Sequence, residues 1–80
     1  MGLAATEEEL AERASRFLKA ELKRAGITYA ELAERLKDHG LSRETEASIK
    51  AKLRRGTFPA TFLLACLAVL GISALALADV

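Results

Sequence analysis

From Thr57 to Ala78 the chain runs for 22 residues without a charge, and the five residues before that run are Lys52-Leu53-Arg54-Arg55-Gly56. Two kinds of protein own such a stretch. About 20 apolar residues are long enough to cross a bilayer, and a basic flank on one side orients a span. Alternatively the run is a buried helix, a glycine stop and an apolar tail in a small helical domain. Gly71 interrupts the run and Pro59 sits near its start. No tryptophan or tyrosine marks a membrane interface within it. The three segments upstream are amphipathic and short, and they need a fourth wall to bury their apolar stripes. The expectation is therefore a helical domain with no membrane, and a membrane anchor through 57–78 is the minor alternative.

Eighty residues allow one domain, residues 1–80. Alanine, leucine, glutamate, lysine and arginine dominate, which favours an all-α fold. The sequence predicts four to five short helices after a disordered start at 1–5. Thr6-Glu7-Glu8-Glu9 reads as a capping box that opens helix 1, residues 6–25. Leu10, Ala14, Phe17, Leu18, Leu22 and Ala25 follow as its apolar stripe, and Gly26 stops it. Thr28-Tyr29-Ala30-Glu31 repeats the capping pattern and opens helix 2, residues 28–39. Thr45, with Ser42 as the alternative cap, opens helix 3 over 45–55, with Ile49 and Leu53 facing inward. Pro59 suits the first turn of helix 4, residues 59–70, which meets Gly71. Residues 72–80 are a short helix or a tail.

Helix 4 is apolar all round, so it calls for cover on every side. Either the tail folds over it or a second chain does. The expected partner is a second copy, in a homodimer through Phe62–Leu70 and the tail.

The net charge of +1 hides an uneven distribution. Residues 1–27 balance, whereas residues 42–56 hold Arg43, Lys50, Lys52, Arg54 and Arg55 against Glu44 and Glu46. Positive charge gathered in one segment is what a phosphate-facing surface requires. Nothing in the sequence carries catalysis: it has no paired carboxylates, no nucleophile–base pair and no glycine-rich phosphate loop. His39 is a lone histidine without ligand partners, so neither a metal nor a cofactor is expected. Cys66 is the single cysteine and reads as a small buried hydrophobe in a reducing compartment. The acidic opening lacks a secretory pattern, so the expected location is cytoplasmic.

Two capped helices, the second of them basic, describe a helix-turn-helix unit. Gly26-Ile27-Thr28-Tyr29-Ala30-Glu31-Leu32-Ala33 resembles the first helix of the motif in phage-repressor-like (lambda/Cro-type) domains. Thr45-Glu46-Ala47-Ser48-Ile49 onward to Gly56 resembles their recognition helix, and Leu70-Gly71-Ile72-Ser73 resembles the end of their fourth helix. The turn here is longer than in those domains. Phe17 to Ala33 and Thr45 to Phe58 also resemble a bacterial family of short proteins with no assigned role.

The resemblance implies a small DNA-binding protein, expected to be a transcriptional regulator, with residues 46–55 in the major groove. Tyr29 falls where those domains often contact phosphate. Thr45 caps a helix whose N-terminus would point toward phosphate. Glu46, Ala47 and Ala51 fall at base-reading positions, where alanine touches only a thymine methyl and glutamate accepts at most from cytosine. Arg43, Lys50, Lys52, Arg54 and Arg55 would anchor the backbone. The poor base-reading set keeps a second expectation open, a protein–protein interaction module that retains the fold without base readout.

Overall fold

The computed structural model describes residues 5–80. Its elements are α1 (Glu7–Ala25), α2 (Tyr29–Leu36), α3 (Glu46–Arg55) and α4 (Ala60–Leu70), with short 3-10 turns at Lys37–His39 and Leu77–Asp79. The fold is all-α. The disordered start expected at 1–5 lies outside the described residues except for Ala5, which is exposed.

Helix starts follow the capping chemistry. The Thr6 hydroxyl accepts from the Glu9 N–H at 3.1 Å. At Thr28 both halves of the box form: its Oγ1 accepts from the Glu31 N–H, and Glu31 Oε1 accepts from the Thr28 N–H, each at 3.1 Å. These bonds hold the Glu31 carboxyl below its usual range. At Thr45 the reciprocal partner is Ser48, whose Oγ accepts from the Thr45 N–H at 2.8 Å. α2 ends at Leu36, and Lys37–His39 tightens into a 3-10 turn before Gly40. Residues 72–76 carry no regular secondary structure, and a 3-10 turn follows at Leu77–Asp79.

The core joins all four helices. Leu18 and Leu22 of α1, Leu32 and Leu36 of α2, Ile49 and Leu53 of α3, and Phe62 and Cys66 of α4 are all buried. Burying a side chain of this size contributes roughly 1.5–3 kcal/mol. Phe62 also meets Phe58 edge-on, with ring centroids 5.2 Å apart. Burial pushes the Cys66 thiol up to about 12, and the Glu44 carboxylate adds to the rise.

The inward face of α1 differs from the expected stripe. Leu10 is 46% exposed, while Ser15 is buried beside Leu18 and Leu22. The cause is the approach of α3. A Cβ at Gly56 would stand 2.2 Å from the Ala11 carbonyl oxygen, so the end of α3 lies directly on the α1 backbone. Only small residues fit under that approach, and α1 presents Ala11 and Ser15 there. The Ser15 hydroxyl donates to the Leu53 carbonyl, one of the α3 carbonyls that the helix itself leaves without a partner.

Among the described residues no single helix is long and apolar enough to cross a membrane. α3 and α4 meet at a bend of 113°, so Gly56–Pro59 breaks any continuous span there.

Candidate nucleic-acid interface

α3 is clamped on one side and open on the other. Ile49 and Leu53 hold its inner side in the core. Glu46, Ala47, Lys50 and Arg54 are exposed and share the outer face by their spacing, and Ala51 beside them is half-buried. Arg43 stands exposed just before the helix. Thr45 is occupied with its cap. Tyr29 packs its ring against the core from the first turn of α2.

The basic residues of the segment separate onto three surfaces. Lys52 turns inward. Its ammonium lies 3.1 Å from both carboxylate oxygens of Glu44 and 5.6 Å from the centroid of the Phe62 ring. The two side chains are only 19% and 14% exposed. Ser48 Oγ donates to the same Glu44 carboxylate at 2.7 Å. Lys52 is thus the counter-ion that folds the 41–45 segment onto α3, and it is withdrawn from any outer surface. The wheel position of Lys52 beside Ile49 signals this inward turn, but Glu44, eight residues earlier in a loop, gives no periodic signal.

Arg54 and Arg55 turn instead toward α1. With Thr57 they form one wall of a groove of about 950 Å³ whose other wall is α1. The α1 wall is acidic over Glu7, Glu8 and Glu12 and basic over Arg16, Lys19 and Lys23. Gly56 packs on Ala11, within the acidic half, so Arg55 leaves the helix beside carboxylates. The third surface is the outer face proper, with Lys50, and Arg43 stands exposed in the loop that leads to it. Arg54 belongs both to that face and to the groove.

Internal pairing is selective. Ion pairs among the described residues include Arg16–Glu12, Arg24–Glu21, Lys37–Glu34 and Lys52–Glu44. None of them involves Arg43, Lys50, Arg54 or Arg55. No group of three or more histidine, cysteine, aspartate or glutamate residues positioned to hold a metal ion occurs among the described residues.

The outer side of α4 is apolar and open. Leu64 is 64% exposed and borders a hollow of about 420 Å³ lined by Gly40, Leu41, Thr61, Ala65 and Ala68. The tail does not reach it. Ile72, Ala74, Leu75 and Asp79 share a different hollow with Phe17, Glu21 and Arg24 of α1.

A model of the DUF6471 family, described as a domain of unknown function, matches residues 10–75. The chain belongs to that family. No curated protein and no solved structure matches it.

Proposed function

We propose that this DUF6471 domain binds double-stranded DNA through the outer face of α3, as the DNA-binding unit of a small helix-turn-helix transcriptional regulator. The observation that carries the reading is that face itself. It presents Lys50 and Arg54, with Arg43 alongside, free of the internal ion pairs that neutralise other basic side chains. The opposite side of the same helix is fixed by Ile49, Leu53 and the Glu44–Lys52 pair, so the cations stand on a rigid support. α2 and the 37–45 segment precede α3 as the first helix and the long turn of the motif. The resemblance of 26–56 to lambda/Cro-type domains supports the same reading.

Glu46 and Ala47 offer little base discrimination, so phosphate contact dominates. Each contact contributes about −0.9 to the slope of log affinity against log salt, so Arg43, Lys50 and Arg54 together give about −2.7. A gel-shift titration with genomic fragments, begun at about 50 mM salt, tests this. Absence of any shift at that salt rules the reading out, because electrostatic binding is strongest there.

The open side of α4 favours a second reading that is compatible with the first, in which a second copy covers Leu64. The run from Thr57 to Ala78 brings no charge into such a contact, so neither copy has a charge there to strip of water. A dimer would present two α3 helices to successive half-sites. Leu64→Asp is expected to keep the helical circular-dichroism spectrum, since Leu64 is 64% exposed in the single chain, and to abolish the dimer in sedimentation equilibrium. A wild-type chain that stays monomeric at high micromolar concentration refutes the dimer.

A further inference from the structure

We infer that Lys19 and Lys23 of α1, together with Arg54, form a second phosphate cradle that carries the DNA backbone past the end of α3; this rests on the DNA-binding reading.

The argument begins with what these lysines lack. On a helix, residues three and four apart are neighbours. Arg16 has Glu12 at that spacing, Arg24 has Glu21 and Lys37 has Glu34, and each forms its ion pair. Lys19 has Ser15, Arg16, Leu22 and Lys23 at those places, and Lys23 has Lys19, Ala20, Gly26 and Ile27. Neither has an acidic neighbour, and each is the other's like-charged neighbour, an unfavourable spacing for an isolated helix. Both are exposed.

The fold increases the imbalance. α3 is fastened to α1 by the Ser15–Leu53 hydrogen bond and by Gly56 on Ala11. That docking puts Arg54 in the α3 wall of the groove whose α1 wall carries the two lysines, about one to two helical turns beyond Ser15. The carboxylates of the groove stand toward the other end of α1. Glu8 and Lys23 are separated by about 22 Å along the helix at 1.5 Å per residue, and Glu12 is already committed to Arg16 at 3.5 Å. The basic end of α1 is therefore left without a carboxylate at helical spacing, and Arg54 adds a further cation to the same groove. An anion relieves the repulsion among these cations.

The ligand class follows from position. Arg54 belongs both to the outer face with Lys50 and to this groove, so the two basic surfaces are continuous through it. A linear polyanion can span them where a single small anion cannot. A duplex that sets its groove on α3 carries a phosphodiester strand past Arg54 and onto Lys19 and Lys23.

The test is fluorescence anisotropy of the full chain with a labelled random-sequence duplex of about 20 base pairs, titrated between about 50 and 200 mM NaCl. Five contacts give a slope of about −4.5, and the wild type loses about 500-fold in affinity across that range. K19A/K23A lowers the slope to about −2.7 and the loss to about 40-fold, with an unchanged melting temperature. R43A/K50A lowers it equally. A wild-type slope in K19A/K23A, alongside a reduced slope in R43A/K50A, overturns the cradle and leaves the α3 reading standing. A reduced slope only in K19A/K23A supports the cradle and overturns the α3 reading. No binding by the wild type at about 50 mM overturns both.

Discussion

Gly56→Ala is the sharpest test of how α3 is held. Gly56 has φ +72°, in the left-handed region. Any L side chain there costs about 1–2 kcal/mol. The same cost applies at Gly26, whose φ is +70° and whose added Cβ would meet nothing within 4 Å. At Gly56 that Cβ would stand 2.2 Å from the Ala11 carbonyl oxygen and 2.9 Å from the Ala11 Cβ. The first of these atoms belongs to a helix backbone and cannot rotate away, so α3 must lift off α1. Overpacking of this kind costs a further 1–3 kcal/mol, roughly. The expected losses are about 3 kcal/mol for Gly56→Ala and about 1 kcal/mol for Gly26→Ala. An 80-residue domain has only about 4–12 kcal/mol to lose. With a urea dependence of about 1 kcal/mol/M, the unfolding midpoints fall by about 3 M and 1 M respectively. Equal shifts for the two variants would refute the contact, because only the left-handed backbone would then be at work.

Further outcomes follow from the pairing and burial of single side chains. Glu44→Ala leaves Lys52 mostly buried and unpaired, and costs about 2 kcal/mol in urea unfolding after allowance for partial exposure; Lys52→Met leaves the salt slope of DNA binding unchanged, and a fall of about 0.9 would place Lys52 on phosphate after all. Cys66 resists alkylation by iodoacetamide at pH 8 until the chain unfolds, since its thiol ionises only near 12; the unfolded thiol ionises from 9.0, so stability declines as pH rises through that interval, and Cys66→Ala removes that part of the decline. Glu31 has a lowered pKa, so its contribution is present above pH 4.5 and is lost as pH falls through the lower folded value; Glu31→Gln flattens that part of the acid limb in a circular-dichroism titration.

The helix starts were legible because capping is local chemistry. Thr6, Thr28 and Thr45 each announce a helix within four residues, and each accepts the expected N–H. The outer face of α3 was legible for a similar reason, since Ile49 and Leu53 fix its inside by period alone. The fate of the basic cluster was not. Lys52 is drawn inward by Glu44, a loop residue, and by Phe62 on another helix. Arg54 and Arg55 meet an α1 groove that no spacing within 42–56 reveals. α4 hid its orientation because every face is apolar, so nothing in its sequence puts Phe62, Ala65 and Cys66 inside and Leu64 outside. Ser15 does carry a readable signal: four residues after Ala11 and three before Leu18, it lies on the inward period of α1 despite its hydroxyl.

The Ser15–Leu53 bond spans 38 residues and ties the beginning of the chain to its third helix. On a ribosome the N-terminal end emerges first, yet the groove-side surface of α1 has no seat until Leu53 and Gly56 have followed it out. α1 therefore spends the early part of synthesis as a solitary amphipathic segment of 19 residues, with its apolar stripe facing water. Docking of α1 on α3 waits for Gly56, and closure of the core waits further for α4, which brings Phe62 and Cys66. A nascent chain arrested before Leu53 should hold α1 within reach of chaperones and proteases, and one whose residues have emerged through Leu70 should withdraw it.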